Sequence, residues 1–545
     1  MTIKPAKAVM ASIAAMVALA TAAAGIASAA ETSIPATDLA KAQPITVKAN
    51  SDISGKTLVA IKLAAYSAAQ TDGTNITGYD VQDAGLAAAV DDALTKAGIS
   101  RTTTDDDTTA YEAANPMAWV VTNLLDSTTS PWAGQLRTFL DQLKNEQAVK
   151  NAEGTKLTKG DDTTVMSADV EPGVYVILDR TVKGQASIAM MNGTGINGMT
   201  TLKSTAADAE TYTLGQVEYK VSDVTVPVKK IVEGGQLKDT NETAIGKTVN
   251  YKVTTEVPNW TGYDHYYLAL NDTMSQGLTF NNDATATVAG KTVTVKTVND
   301  NGRISILFAP TSDGSSDIIA DKANYPIGKE IVVTYSATVN KNAVIGGDGN
   351  PNSIELEYSH NPNDVTDHDT TPGNTVKTYV GAFKLVKKDA KGTSLEGAEF
   401  NVFETGSTTP LEFVKDGDTY RLADKTETTG TTTTVTAGTA SITGVDGAYD
   451  VVATKSPFGK AIKAKFTTTV SVDQKTGAYT AALTKADANG LVASDNTFTF
   501  TVTNCRNIGE MPKSGATWLA IYVATGLLVI AAGAAMYLRR MHAQA

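Results

Sequence analysis

The 545-residue sequence has little of what most enzymes and most disulfide-stabilised exported proteins depend on. It contains a single cysteine, Cys505, so no disulfide can form within the chain. We expect this thiol to stay unpaired, with a bridge to another molecule as the alternative. There are only four histidines, and no nucleophile elbow, phosphate-binding loop or zinc spacing occurs. We therefore expect no enzyme activity towards an external substrate, no cofactor and no metal site.

The chain also lacks a surplus of positive charge. Its 46 lysines and arginines stand against 58 aspartates and glutamates, which gives a net charge of −12. An acidic chain of this kind argues against nucleic acid as a partner and suits a soluble extracellular surface. Its length exceeds what one hydrophobic core usually serves, so we expect about three domains.

A long apolar segment at the N terminus has the features of a targeting sequence. Lys4 and Lys7 precede the small-residue apolar segment 8–26, which ends in Ala27-Ser28-Ala29. A charged start, an apolar centre and an Ala-x-Ala site predict a secretory signal peptide over residues 1–29. We therefore expect the chain to be exported.

A second apolar segment lies close to the C terminus. Residues 516–538 carry no charge, and the run is long enough to cross a bilayer as a transmembrane helix. Arg539 and Arg540 follow it in the short tail 539–545, which the positive-inside rule places in the cytoplasm. The sequence thus predicts a transient membrane anchor, with the rest of the mature chain outside the cell.

Threonine-rich alternating segments dominate the remaining sequence, for example 292–296 and 497–503. Period-two patterning with β-branched residues, interrupted by Gly, Asn and Asp, predicts short antiparallel strands in sandwiches. Helical spacing is confined to the first third, where Leu86, Val90 and Leu94 recur every fourth residue. The expected fold class is mainly β, with tandem Ig-like β-sandwich domains, the first of which carries a helical insertion.

These patterns predict the domain boundaries. We expect a β-sandwich with a helical insertion at 45–215, a second sandwich at 221–360 and a third at 379–504. The segment 361–378 is rich in Pro, Asn and Gly without apolar periodicity, which predicts a linker.

Acidic and histidine side chains lie in or beside this predicted linker: His360, Asp367, His368 and Asp369. They could suggest a metal site, but their spacing is not that of a known ligand set. A solvated linker is the interpretation we prefer.

One lysine lies in an unusual position in the strand pattern. Val228, Lys230 and Val232 share one face of a predicted strand, because side chains alternate. Burying an ammonium group among core valines is costly. The lysine is therefore either chemically special or placed at a strand edge, with its ammonium reaching into water.

The pentapeptide Met511-Pro512-Lys513-Ser514-Gly515, directly before the apolar run, resembles a known signal. It is similar to the Leu-Pro-x-Thr-Gly sorting signal of Gram-positive wall proteins, with Met for Leu and Ser for Thr. The resemblance implies that a sortase cleaves between Ser514 and Gly515 and joins the new carbonyl to an amine. An ordinary loop before an anchor is the alternative.

Three segments of the second region carry a further resemblance, namely 229–232, 271–280 and 352–362. They resemble the middle domain of sortase-assembled backbone pilins, in which a buried Lys and Asn are joined by an isopeptide bond beside an acid. Carried onto this chain, the bond joins Lys230 to Asn352, with Asp272 as the catalytic acid. An apolar site lowers the pKa of a lysine and raises that of a carboxyl, so a neutral amine can attack while the acid shuttles protons. Lys229 is the next candidate should Lys230 fail.

The third region begins with Gly381–Asp389 and resembles the collagen-adhesin B-type Ig-like domain. This resemblance implies a bond between Lys384 in the first strand and Asn504 in the last. The family's acid lies in Tyr-x-Leu-x-Glu-x-x-x-Pro-x-Gly, and the matching segment 449–459 has Ala453 instead of the glutamate. Either another carboxyl serves, or this bond is slow or absent.

Together the resemblances imply a structural subunit of a sortase-assembled pilus, or fimbrium, that is covalently polymerised, anchored to the cell wall and supports adhesion. The implied partners are pilin-specific and housekeeping sortases, other copies of the chain, minor tip and base pilins, peptidoglycan and a host or extracellular-matrix ligand. The competing hypothesis is an adhesin anchored singly to the wall and never polymerised.

Polymerisation in this family requires a linking lysine near the end of the first domain, in a Trp-x-x-x-Val-x-Val-Tyr-Pro-Lys motif. The matching stretch 217–221 has neither the Trp nor the Pro. Lys220 is the candidate that the resemblance implies, and Lys229, which follows Val226-Pro227-Val228, is the alternative.

Overall fold

The computed structural model describes residues 32–101, 110–124, 134–203, 211–459 and 462–511, with four further positions, 523, 526, 527 and 530. The predicted signal peptide and the sorting signal beyond Met511 lie outside these residues, as does the predicted membrane span apart from the four positions. No helix within the described residues combines the length and apolarity needed to cross a membrane. The mainly β fold class is confirmed.

The first domain, residues 32–218, is built around an eight-stranded sheet. Alternate residues of its long strand β3 serve two cores: Leu58 and Ala60 pack against a four-stranded sheet, whereas Val59 and Ile61 pack under helices. Its elements are β1 (Thr32–Ser33), α1 (Ala36–Leu39), β2 (Gln43–Lys48), β3 (Leu58–Thr71), β4 (Ile76–Asp83), α2 (Ala87–Lys96), α3 (Pro116–Asn123), α4 (Gln135–Leu143), α5 (Gln147–Asn151), β5 (Thr155–Lys156), β6 (Thr158–Lys159), β7 (Val165–Val170), β8 (Gly173–Asp179), β9 (Met190–Gly193), β10 (Thr201–Lys203), β11 (Thr211–Thr213) and β12 (Gln216–Glu218).

The second domain, residues 228–379, is a sandwich of a seven-stranded and a six-stranded sheet. The first sheet contains β13, β16 and β23, and the second contains β17, β24 and β25, which together carry the site described below. Its strands are β13 (Val228–Glu233), β14 (Gln236–Lys238), β15 (Thr240–Glu242), β16 (Thr248–Glu256), β17 (Leu268–Met274), β18 (Leu278–Phe280), β19 (Thr285–Val288), β20 (Lys291–Val293), β21 (Val295–Asp300), β22 (Arg303–Phe308), β23 (Glu330–Val339), β24 (Asn350–Ser359) and β25 (His368–Tyr379).

Strand β25 corrects the linker prediction for 361–378. From His368 onwards this segment is a strand that pairs with β24, and Val376 and Thr378 are buried in the core. Pro372 pairs with Glu355, next to the register shift between Ser353 and Glu355, where a missing N–H is tolerated. The Pro and Gly that suggested a linker therefore mark an irregularity inside a strand.

The histidines near this segment make pairwise contacts with acids. The Nε2 atom of His360 lies 3.2 Å from Asp367, and its Nδ1 atom lies 3.6 Å from Asp369. His368 instead lies 3.0 Å from Glu357. Among the residues that the structure describes, no group of three or more His, Cys, Asp or Glu side chains is arranged to hold a metal ion.

The third domain, residues 381–504, is a sandwich of a seven-stranded and a five-stranded sheet. Its first strand β26 lies between β32 and the last strand β37, and it runs parallel to β37. The strands are β26 (Gly381–Asp389), β27 (Ala398–Glu404), β28 (Phe413–Asp416), β29 (Thr419–Leu422), β30 (Thr431–Thr432), β31 (Val435–Ala437), β32 (Thr439–Val445), β33 (Gly447–Lys455), β34 (Lys465–Val472), β35 (Tyr479–Lys485), β36 (Val492–Ser494) and β37 (Thr499–Asn504).

The second and third domains share one continuous hydrophobic core. Polar contacts accompany it: the Ile245 N–H donates to the Gly444 carbonyl at 3.0 Å, and the Val472 N–H donates to Glu242 at 2.6 Å. Asp446 lies beside the same Glu242, and burial, followed by the negative charge of Glu242, raises the pKa of Asp446 to about 7. Glu233 adds a third negative charge. The interface between the second and third domains therefore holds a carboxyl, that of Asp446, which takes up a proton near neutral pH.

We expect the interface between the second and third domains to be more stable in mild acid than in mild base. A carboxyl whose pKa is raised on folding contributes stability that is fully present below its unfolded pKa and is lost as pH rises through about 7. The melting temperature of the wild-type chain should therefore be higher at about pH 5.5 than at about pH 8. Asp446→Ser should shrink this difference, whereas Asp416→Ser, which changes an exposed aspartate of the same domain, should not. Equal pH dependence in both variants would contradict this assignment.

Candidate functional site

The inward-facing lysine of strand β13 is Lys229, which corrects the prediction of Lys230. Lys229 is 0% exposed, as is Asp272, its partner on β17. The Lys230 side chain lies on the opposite face, is 32% exposed and pairs with Asp239 at 2.6 Å. Alternation along the strand was predicted correctly, but its phase was wrong by one residue, which turns every side chain to the other face. The same burial rules out Lys229 as an accessible linking lysine.

Lys229 is held firmly in place by the strand that was predicted to be a linker. The Lys229 N–H donates to the side-chain oxygen of Asn374 at 2.7 Å, and the Asn374 amide donates back to the Lys229 carbonyl at 2.9 Å. The ammonium group contacts Asp272 Oδ2 directly, and the Tyr335 hydroxyl donates to the same oxygen. The lysine of one sheet thus meets the acid of the other in the middle of the sandwich.

Asn352 completes the buried cluster. Strands β17 and β24 pair Met274 with Asn352 and Asp272 with Ile354, so Asp272 and Asn352 are diagonal neighbours on the same inward face. Asn352 is 0% exposed, and neither its side-chain oxygen nor its nitrogen has a hydrogen-bond partner among the described residues. An unpaired buried polar group costs about 1–3 kcal/mol. The carboxamide is therefore held at a cost beside a lysine and an acid.

Burial shifts both ionisable groups of the cluster towards their neutral forms. It lowers the pKa of the Lys229 ammonium to about 8, against the opposing effect of Asp272. It also raises the pKa of Asp272, against the opposing charge and hydrogen bond of Lys229. Both shifts favour the neutral amine and the protonated acid that amide exchange on the neighbouring carboxamide requires.

A second buried lysine lies in the third domain, and it is Lys387 rather than the predicted Lys384. Phe383, Leu385 and Lys387 alternate into the core, and Lys387 is 2% exposed. Lys384 is only partly buried, lies on the other face of β26 and pairs with Thr499. The alternating Phe and Leu before Lys387 were the signal that could have identified the inward lysine.

Asn504, also buried, is the diagonal neighbour of Lys387 on the adjacent strand β37. Its amide donates to the Ser456 hydroxyl at 2.6 Å. Burial lowers the pKa of Lys387 to about 8, and Asp487 is the carboxylate whose charge opposes this shift. Asp487 is already engaged, however, since it accepts backbone N–H groups of Lys465, Asn489 and Leu491 at 2.9, 2.9 and 3.1 Å.

Both regions match known protein-family models. Residues 245–362 match the model described as Gram-positive pilin backbone subunit 2, a Cna-B-like domain. Residues 381–487 match SpaA, a prealbumin-like fold domain. The two matches lie in the second and third domains, and together they span less than half of the chain. The first of these models describes a structural pilin domain.

A curated relative matches part of the chain. The trypsin-resistant surface T6 protein of Streptococcus pyogenes serotype M6 is 30% identical over 258 residues, which cover 43% of this chain and 47% of the relative. The match therefore spans about half of that protein.

Solved pilin structures show only a distant likeness. The T6 backbone pilin of serotype M6 Streptococcus pyogenes is 16% identical, with 87% of this chain and 90% of that chain covered and a TM-score of 0.43. The major pilin SpaD of Corynebacterium diphtheriae is 13% identical, with 85% and 97% covered and a TM-score of 0.38. Both TM-scores lie below 0.5, so neither structure bears on the function of this chain.

Lys220 lies where the first domain meets the second. Its N–H donates to the Ser187 hydroxyl at 2.9 Å, and its side chain lines a small cavity that also includes Tyr263 and Tyr358. Burial, followed by the positive charge of Arg137, lowers the pKa of Lys220 to about 8. The residue is partly buried, and its lowered pKa leaves more of its amine neutral near pH 8 than in an ordinary lysine.

Cys505 and Met511, the first residue of the predicted sorting signal, both pack into the third domain. Cys505 is 0% exposed, and its thiol donates to the Glu510 carbonyl at 3.2 Å. Met511, the first residue of the pentapeptide, is 5% exposed and belongs to the same core. A buried thiol is poorly placed for a bridge to another molecule, so the structure favours the unpaired cysteine.

Proposed function

We propose that this chain is a structural subunit of a pilus on a Gram-positive cell, polymerised by a sortase and finally attached to peptidoglycan. The observation that supports it most directly is the coincidence of a pilin backbone family match at 245–362 with a buried Lys229–Asp272–Asn352 cluster in that domain. The proposed partners are other copies of the chain, minor pilins, polymerising and housekeeping sortases, and a host or matrix ligand. The proposed location is the cell surface.

Within the second domain, the proposal includes a spontaneous bond between Lys229 and Asn352. The neutral amine of Lys229 attacks the side-chain carbon of Asn352, the new C–N bond forms, and the bond to the amide nitrogen breaks. Asp272 first donates a hydrogen bond to the carboxamide oxygen. It then passes the proton released by the amine to the leaving nitrogen, which departs as ammonia. Because the two residues lie on different sheets, the bond closes the sandwich covalently.

A gel of wall extracts tests the proposal as a whole. In cells with their sortases intact, an antibody to this chain should detect a ladder of high-mass species that survives boiling and reductant. The protein recovered from the wall should end at Ser514. A single wall-bound species without a ladder would instead support the adhesin hypothesis, and wall-bound protein that still contains 516–545 would contradict sorting.

For the third domain we propose that Lys387 and Asn504 are poised to react but lack an acid. Ala453 is buried on β33 and pairs with Phe400, whose ring centre lies 5.5 Å from the Lys387 Nζ atom. A carboxyl at position 453 would therefore enter the core on the side of the lysine.

Ala453→Glu should speed ammonia loss from the third domain by on the order of a hundredfold, the usual contribution of a general acid. Ala453→Gln is the matched control, since it adds nearly the same volume without a transferable proton. Intact mass against time gives the rates, and adding Lys387→Ala to Ala453→Glu should abolish the loss. If the wild-type chain already loses this ammonia rapidly through Lys387, the acid is not missing.

For polymerisation we propose Lys220 as the linking lysine. A cavity of about 600 Å³ between the first and second domains shares Ile188 with the smaller cavity that Lys220 lines. In this proposal, an incoming C-terminal segment of another subunit enters the larger cavity and reaches the amine, which lines only the smaller one.

A further inference from the structure

Two buried tyrosines form one wall of the Lys229 site. Tyr251 on β16 and Tyr335 on β23 are directly paired across the sheet, and their rings stack with centroids 5.3 Å apart. The Lys229 Nζ atom lies 4.9 Å from the centre of the Tyr251 ring and 5.4 Å from that of Tyr335. Ring faces favour a cation, whereas burial lowers the Lys229 pKa.

Both hydroxyls lie near the Asn352 side chain, but they differ in their hydrogen bonds. The Tyr335 hydroxyl donates to Asp272 Oδ2, the oxygen that also contacts Lys229. The Tyr251 hydroxyl faces the side chains of Asn352 and Thr378 but makes no hydrogen bond within the described part of the chain. Burial raises the pKa of both phenols above their ordinary value. Both hydroxyls therefore stay protonated and can donate.

We propose that Tyr251 is a catalytic residue and Tyr335 a positioning residue for the Lys229–Asn352 bond. Tyr251 donates a hydrogen bond to the Asn352 carboxamide oxygen as negative charge develops on it during attack by the amine. Tyr335 fixes the orientation of Asp272, so that its other oxygen, Oδ1, which is buried without a partner among the described residues, serves the carboxamide. This assignment rests on the proposed isopeptide chemistry and adds no co-reactant, since ammonia is the only product released.

The alternative role for both tyrosines is packing, and a hydroxyl deletion separates the two. Tyr251→Phe and Tyr335→Phe keep the stacked rings and remove only the oxygen. Tyr325→Phe is the matched control, because Tyr325 is another buried tyrosine of the same domain whose hydroxyl only accepts a backbone N–H from Ala309.

The test follows the full chain from the moment of synthesis. Cell-free expression is stopped at successive times, and intact mass gives the fraction that has lost the ammonia assigned to Lys229. Protease resistance at each time gives the folded fraction, so that the rate is expressed per folded molecule. We expect Tyr251→Phe to slow the reaction by about tenfold to a hundredfold, somewhat less than the loss of a strong oxyanion donor, and Tyr325→Phe to leave the rate unchanged.

The pH profile provides a readout that packing alone would not change. The Tyr335 hydrogen bond lowers the pKa of Asp272, so its removal should raise that pKa. The rate of ammonia loss, which falls as Asp272 loses its proton, should then begin to fall at a higher pH. Tyr251→Phe should reduce the rate without changing the pH at which it falls. Wild-type rates and profiles in both Phe variants would overturn the assignment. A wild-type chain that never loses ammonia through Lys229 would instead refute the isopeptide proposal itself.

Discussion

Lys229→Ala should abolish the loss of one ammonia from the second domain and lower its free energy of unfolding by about 3–5 kcal/mol. The magnitude follows the analogy with a disulfide, because a covalent tie between residues 229 and 352 closes a long loop in the unfolded chain. Burial raises the pKa of the remaining Asp272, which favours its protonated form once the lysine is gone. Intact mass and denaturant unfolding measure the two effects.

Lys230→Ala is the natural control for this experiment. It lies one residue further along the same strand, faces outward and pairs with Asp239 at a partly exposed site. A surface ion pair of this kind is worth at most about 1 kcal/mol, so the ammonia loss should persist and stability should change little. If Lys230→Ala alone abolished the ammonia loss, the bond would instead be assigned to Lys230, the residue that the sequence pattern favoured.

Lys220→Ala should eliminate the high-mass ladder in cells whose sortases are intact. Lys220→Arg should eliminate it equally, because arginine keeps the positive charge but stays protonated and cannot attack an acyl-enzyme. Lys150→Ala is the control, since Lys150 is an exposed lysine that lines the neighbouring cavity. A ladder that survives both Lys220 substitutions would assign the linkage to another amine.

The lowered pKa of Lys220 adds a pH dependence to this prediction. The attacking form is the neutral amine, which accumulates as pH rises through about 8. With purified chain and polymerising sortase, the rate of linkage to Lys220 should reach half of its maximum near pH 8 and level off above that pH. An ordinary exposed lysine would continue to gain neutral amine up to about pH 10.

The sequence predicted the strands well but not which face of a strand is buried. The alternating pattern around Lys230 predicts that Val228 and Val232 are core residues. In the structure Val228 is 44% exposed, and Lys229 and Ile231 face inward. An isolated strand contains no information on which side the opposing sheet lies, so valines on the outer face can suggest the wrong phase. The same one-residue ambiguity did not arise for Asp272, since β17 is buried on both faces over most of its length.

Local composition also gave a wrong prediction for the segment 361–378, because strand pairing overrides it there. Pro372 and Gly373 are typical of linkers, but β24 supplies a partner for β25, and the irregularity is absorbed at the register shift near Glu355. The tyrosines of the site could not be predicted from spacing, because Tyr251 and Tyr335 lie far apart in the chain and meet only through strand pairing. Long-range register is the information that a single sequence lacks.

The parallel pairing of β26 with β37 has a mechanical consequence. Only Val380 separates the end of β25 from the start of β26, and β37 leads out towards the C terminus. Tension applied between the upstream domains and a wall-attached C terminus would pull these two strands in opposite directions along their length. The six residue pairs from Lys384–Thr499 to Asp389–Asn504 would then be loaded together in shear instead of being peeled apart singly. The third domain thus carries its load across two neighbouring strands, while the rest of its sandwich stays outside the line of force.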